Sequence, residues 1–114
     1  MYLSTGIDLV EVGRMKTAVE KWGERLLNRV WTPQEIEYSR QRACFYQHLA
    51  ARFAAKEAVM KSLAQKNLNW KDIEVVNNEQ GKPEIRFTPY QKKRISLTIS
   101  HTKDYAIAQA IAYE

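Results

Sequence analysis

The chain has 114 residues, 45% of them hydrophobic and 11% aromatic, with only 4 Gly and 3 Pro. That size and balance predict one domain over residues 1–114 and exclude a multidomain machine, a disordered chain or a fibrous repeat. Eighteen basic against thirteen acidic side chains leave a formal charge of +5, which favours an anionic partner without choosing among nucleotide, nucleic acid and acidic protein.

In chain order, residues 3–10 read as a strand, because Ile7 and Leu9 alternate with Asp8 and Val10. A helical stretch follows over residues 12–29, interrupted near Gly23. Thr32-Pro33-Gln34-Glu35 then opens another helix, with Thr32 as N-cap, Pro33 in the first turn and Glu35 closing a capping box, and this helix ends between Arg40 and Ala43. Residues 45–63 lack Gly and Pro and form the longest helix. At about 100° per residue, Phe45, Leu49, Phe53, Met60 and Leu63 share one apolar arc. Lys56 falls inside that arc, a charge where none is expected, and Lys61 follows Glu57 at i+4. Strands are predicted over 73–76, 84–87, 95–100 and 106–113, with turns at 77–81 and 101–105. Helices first and antiparallel strands last give an α+β fold, an antiparallel sheet packed against one long helix plus shorter N-terminal helices.

Cys44 is the only cysteine, so no disulfide within the chain and no cysteine-based zinc site can form. The first residues carry no basic segment before an apolar stretch, and no apolar run approaches membrane-spanning length. A cytoplasmic, soluble protein is expected. Phosphate loops, dinucleotide glycine fingerprints, HExxH, CxxC pairs and GxSxG are all missing, which removes most support for hydrolase and redox chemistry.

A sparse carboxylate pair remains, Asp8 near a strand end and Glu57 in mid-helix. Residues 44–70 hold Arg52, Lys56, Lys61 and Lys66 against Glu57 as their only acid. Mg²⁺ is typically held by one or two carboxylates at about 2.0–2.1 Å, with water and substrate phosphates completing the octahedron. Two readings stay open on spacing alone. Asp8 caps the following helix, Glu57 and Lys61 form a surface pair worth about 0.3–0.5 kcal/mol, and Lys56 snorkels past the apolar stripe. Alternatively, the carboxylates bind Mg²⁺ while the lysines meet phosphate. His101 with Lys103 and Asp104 is likewise either a polar turn or a site.

Three segments occur in fixed order: Gly6-Ile7-Asp8-Leu9-Val10-Glu11-Val12-Gly13-Arg14, Arg52-Phe53-Ala54-Ala55-Lys56-Glu57-Ala58-Val59-Met60-Lys61 and Ile99-Ser100-His101-Thr102. Together they resemble the small trimeric holo-acyl-carrier-protein synthase type of 4'-phosphopantetheinyl transferase, and the likeness extends through Thr32 to Tyr38, Asp72-Ile73-Glu74-Val75 and Gly81-Lys82-Pro83. The resemblance implies transfer of the phosphopantetheine arm of coenzyme A to a serine of an apo acyl carrier protein, releasing adenosine 3',5'-bisphosphate. It implies Asp8 and Glu57 as Mg²⁺ ligands, Glu57 as the group that helps deprotonate the serine, and Lys61 on the departing phosphate. Arg52, Lys56, Lys82, Pro83, Ser100, His101 and Thr102 become candidate coenzyme A contacts, with Arg52 and His101 on the nucleotide phosphates. Arg14, Lys21 and Arg25 become the docking surface for an acidic carrier protein. A homotrimer with active sites between subunits is implied, with no nucleic-acid or membrane partner. Ser62 to Asn69 lacks the glycines that family members usually place after this lysine, which alters one wall of the coenzyme A pocket; Asn67 is the candidate to end the helix in the left-handed conformation. Two rivals are a small basic RNA-binding module stacking bases on Trp70, Tyr90 and Tyr105, and a family member that binds coenzyme A without efficient transfer.

Overall fold

The computed structural model describes residues 2–64, 67–88 and 92–114; Tyr90 and part of the glycine-free segment lie outside them. In chain order it has β1 (Leu3–Glu11), α1 (Val12–Trp22), α2 (Glu24–Val30), α3 (Pro33–Arg40), α4 (Phe45–Leu63), a 3-10 turn (Trp70–Asp72), β2 (Ile73–Asn77), β3 (Pro83–Phe87), β4 (Arg94–His101) and β5 (Tyr105–Tyr113). The fold is α+β, as the residue pattern predicts. The expected single sheet is two: a three-stranded antiparallel sheet in the order β1-β5-β4 and a separate β2-β3 hairpin.

The local signals act where they were read. Gly23, at a φ of 57°, breaks the first helical stretch into α1 and α2. The Thr32 hydroxyl accepts from Glu35 N (3.2 Å) while Glu35 Oε1 accepts from Thr32 N (2.9 Å), the reciprocal capping box. Ala64, at a φ of 53°, ends α4 in the left-handed conformation, so the residue is Ala64 and not Asn67.

The three-stranded sheet packs on α4 through alanines. Ala106, Ala108, Ala110 and Ala112 of β5 face Ala50, Ala51, Ala54, Ala55 and Ala58 of α4, all buried. Small side chains on both surfaces let strand and helix backbones approach closely, and Gly6 of β1 carries this furthest. A Cβ at Gly6 would overlap the carbonyl oxygen of Ala58 and lie 2.8 Å from Ser62 N.

That choice inverts the apolar alternation of β1. Gly6, Asp8 and Val10 face the helix, whereas Ile7 (55% exposed) and Leu9 (61%) point away from it. On the opposite side of α4, Val19, Leu27, Val30, Trp31 and Ile36 pack around Leu49, with the Trp31 indole donating to Leu49 O (3.0 Å). Helix α4 is therefore buried on most of its circumference, not along a single arc, and each fully buried Leu or Val contributes about 1.5–3 kcal/mol.

Candidate active site

The Gly6 approach sets the site. Asp8 lies two residues further along the same face of β1, and Glu57 and Lys61 sit beside the Ala58 to Ser62 stretch that Gly6 touches. Lys61 Nζ donates to Ile7 O (2.8 Å) and to Asp8 Oδ1 (3.2 Å). The lysine thus pairs across elements with Asp8, not with Glu57 one turn before it on the helix.

Burial first, and the Asp8 charge second, push the Glu57 carboxyl above the ordinary carboxylate range; Lys61 and the Trp70 indole pull it part of the way back. The Trp70 N–H is buried with no well-formed hydrogen bond among the described residues, and it lies close enough to Glu57 to favour the charged carboxylate.

A carboxyl whose ionisation is opposed by burial and by a second carboxylate marks a site short of positive charge. Among the described residues no cluster of three or more His, Cys, Asp or Glu could enclose a metal. Asp8 and Glu57 offer hard oxygen donors with the remaining positions left to water and substrate oxygens, which fits Mg²⁺ better than zinc or calcium. A groove of about 360 Å³ runs from Asp8 along α1, lined by Asp8, Val10, Arg14, Met15, Ala18 and Phe53. Through Met15, Ala18 and Phe53 it continues into an apolar cleft of about 320 Å³ that reaches Trp31 and Trp70.

Arg52 and His101 come together at the other end of α4. The Arg52 guanidinium lies 3.8 Å from the Tyr38 ring centre, and His101 Nδ1 lies 3.2 Å from Gln47 Oε1. His48 links them, edge-on to Tyr38 (5.6 Å) and to His101 (5.5 Å). Arg42 stacks on the same tyrosine at 3.4 Å. Tyr38, Arg42 and His48 escape the sequence reading, although the i, i+4 spacings Tyr38/Arg42 and His48/Arg52 would have flagged them. Thr102, beside His101, accepts at its hydroxyl from Asp104 N (3.3 Å) and Tyr105 N (3.2 Å), which shapes the β4-β5 turn.

Lys56 does not belong with the coenzyme A contacts. It is 0% exposed, and its ammonium donates to Trp70 O (2.8 Å), Ile73 O (2.6 Å) and Glu35 Oε1 (2.7 Å), which uses all three protons. Glu35, equally buried, accepts from Val75 N (2.8 Å) with its other oxygen. Burial pushes the Lys56 pKa down and Glu35 opposes that shift. The charge in the apolar arc is a structural tie between α3, α4 and β2.

The other candidates are spread over the surface. Lys82 reaches from the β2-β3 turn to Leu97 O (3.2 Å), and Pro83 follows it at the start of β3. Ser100 opens on the outer face of the sheet, in a shallow groove with Ile7, Thr98 and Ile107, opposite the face that meets α4. Arg14 borders the Asp8 groove and pairs at 3.9 Å with Glu11, Lys21 lies further along α1, and Arg25 lies on α2 beside Trp22. Trp70 is half-buried, 6.0 Å from the Phe53 ring, while Tyr105 is exposed at the Asp8 groove, so the two form no common stacking platform. No helix among the described residues is long and apolar enough to cross a membrane.

The sequence profile of the 4'-phosphopantetheinyl transferase superfamily matches residues 4–110. The chain is similar to the holo-[acyl-carrier-protein] synthase of Thermodesulfovibrio yellowstonii, 50% identical over 109 residues that cover 95% of this chain and 96% of that protein. It is 44% identical over 124 residues to the holo-[acyl-carrier-protein] synthase of Halothermothrix orenii, covering 100% of this chain and 99% of that one. Among solved structures it resembles a holo-(acyl-carrier-protein) synthase from Bacillus anthracis in complex with CoA (3',5'-ADP), with a TM-score of 0.84, 31% identity and coverage of 96% and 94%. The Helicobacter pylori holo-[acyl-carrier-protein] synthase in complex with coenzyme A gives a TM-score of 0.84 at 28% identity, covering 95% of this chain and 98% of that one.

Proposed function

The chain belongs to the 4'-phosphopantetheinyl transferase superfamily, and from that premise we propose that it transfers the 4'-phosphopantetheine arm of coenzyme A to a serine of an apo acyl carrier protein, releasing adenosine 3',5'-bisphosphate. The observation that carries this is Asp8 at the end of a groove bounded by α1, paired with Lys61 and close enough to Glu57 to raise its pKa. Mg²⁺ held by Asp8 and Glu57 would neutralise the diphosphate and the charge that develops on it.

The chain's own residues supply the rest. The serine oxygen forms a bond to the phosphorus that carries the pantetheine arm. The phosphoanhydride bond to the nucleotide breaks, and its electron pair leaves on the nucleotide phosphate. Glu57, close to Asp8 and Lys61, helps remove the serine proton. Lys61, half-exposed and tethered to Ile7 O and Asp8, swings its ammonium to the departing phosphate and stabilises or protonates it. Arg52 and His101 receive the nucleotide phosphates, with Lys82, Pro83, Ser100 and Thr102 as further coenzyme A contacts.

Arg14 at the Asp8 groove, Lys21 further along α1 and Arg25 on α2 meet an acidic helix of the carrier protein, which raises the encounter rate and weakens with salt. The functional unit is a cyclic homotrimer with active sites between subunits. Supporting this, the outer face of the three-stranded sheet exposes Leu3, Ile7, Leu9, Tyr105 and Ile107, with Leu9 directly opposite Ile107 in the β1-β5 register. Ser100 opens on that same face, where a neighbouring subunit would bring it to a second active site. The cytoplasm is the compartment that suits an exposed, free Cys44.

Incubation with coenzyme A, Mg²⁺ and an apo carrier protein should add the phosphopantetheine mass to the carrier, and Asp8→Asn should abolish the gain. No gain with any of several carriers refutes the transfer. Thermal stabilisation by coenzyme A without a mass gain would mark a protein that binds the nucleotide and does not transfer.

A further inference from the structure

Around Arg52 the structure gathers positive charge with no ion-pair partner of its own among the described residues. Tyr38 is stacked by two guanidinium groups, Arg42 at 3.4 Å and Arg52 at 3.8 Å, and neither arginine forms an ion pair among the described residues. The acid that Arg52 does feel is Glu35, whose two oxygens are already taken by Lys56, Thr32 N and Val75 N. Arg52 Nε is buried without a hydrogen-bond partner. Asn77 Nδ2 donates to the Tyr38 hydroxyl (2.7 Å), which orients that ring. Two imidazoles complete the rim: His48, half-buried on α4, and His101, exposed at the end of β4, with neutral Gln47 between them.

Such a cluster is frustrated while empty and relieved by an anion. Coenzyme A carries one phosphomonoester, on the nucleotide ribose. At neutral pH that group bears about −1.5 to −2 charge, more per phosphorus than either half of the diphosphate. The groups facing the cluster are Arg42, Arg52, Tyr38, Gln47, His101 and His48. An imidazole such as that of His48 is the side-chain type whose charge a nearby anion can change near neutrality.

We infer that His48 is a specificity-determining residue of the nucleotide end of the site, taking up a proton as the phosphomonoester binds between Arg42, Arg52 and His101. The inference rests on reading Arg52 and His101 as nucleotide-phosphate contacts. In the free protein burial first, and then the charges of Arg52, His101 and Arg42, hold His48 below the ordinary imidazole value, so it is largely neutral at pH 7. A dianion seated among the same groups reverses the sign of their combined field and draws the proton on. By linkage, affinity for coenzyme A falls as pH rises between the free and bound titration points of His48, by at most about tenfold per pH unit for one proton.

The test uses the full chain, without carrier protein or metal. Calorimetric titrations with coenzyme A and with dephospho-coenzyme A are run near pH 7 in two buffers of different ionisation enthalpy, which reads the protons bound per ligand. Expected are a net proton uptake with coenzyme A, its absence with dephospho-coenzyme A, and its loss in His48→Gln. Binding of coenzyme A without proton uptake overturns the role of His48, as does equal uptake with dephospho-coenzyme A, a comparison that needs no variant. Uptake unchanged in His48→Gln also overturns it. A protein that binds coenzyme A at no pH overturns this inference together with the proposed function, whereas binding without uptake leaves the proposed function standing.

Discussion

Replacing Lys56 by methionine separates a structural lysine from a ligand-binding one. The substitution removes hydrogen bonds to Glu35, Trp70 O and Ile73 O and leaves a fully buried carboxylate whose remaining donors are the amides of Thr32 and Val75. Removing one partner of a buried pair typically costs about 3–5 kcal/mol, because the other charge stays buried without compensation. That is a large share of the ~5–15 kcal/mol that holds a domain folded. At roughly 4 °C per kcal/mol for a chain of this size, the melting temperature should fall by ~12–20 °C. Urea unfolding at fixed protomer concentration, followed by the fluorescence of buried Trp31, measures the cost. The double variant Glu35→Leu/Lys56→Met should recover much of the loss, since an apolar pair of similar volume strands no charge. A Lys56→Met protein within about 1 kcal/mol of wild type, with its KM for coenzyme A raised tenfold or more, would refute the reasoning and restore Lys56 as a ligand contact.

Gly6→Ala forces β1 away from Ala58 and Ser62, an overpacking cost of about 1–3 kcal/mol, and should reduce transfer in the carrier mass assay by more than its lowered melting temperature explains, because Asp8 moves with the strand. Glu57→Gln should abolish transfer yet raise the melting temperature of metal-free protein at pH 7. A carboxyl whose folded pKa is raised favours the protonated fold, so the native Glu57 contributes least above its folded pKa, and the variant's advantage should vanish as pH falls below the ordinary carboxylate value. Ala64→Gly should stabilise the protein by about 1 kcal/mol in urea titration by relieving a left-handed alanine. Ile7→Asp combined with Leu9→Asp should leave a folded monomer by circular dichroism and sedimentation, with transfer lost; an unchanged sedimentation coefficient would argue against assembly through this sheet face.

Local chemistry along the chain suffices for the elements and for the proposed reactive trio. Helix α4 spans the residues that lack Gly and Pro, α3 begins at its Thr32 and Glu35 capping box, and Asp8, Glu57 and Lys61 lie in motifs whose order is readable along the chain. These features depend on backbone hydrogen bonds and side chains a few residues apart, which local chemistry controls. Which way each face points, and which charges pair, follows from how the elements pack. The alternation of Ile7 and Leu9 marks a strand but cannot tell inside from outside, and close packing of alanines on alanines sends the larger residues outward. Lys56 finds Glu35 on another helix, and Lys61 finds Asp8 at a separation of 53 residues. A buried charge takes the partner that the packed elements bring within reach, and that distance is set by contacts such as Gly6 against Ala58, not by position along the chain.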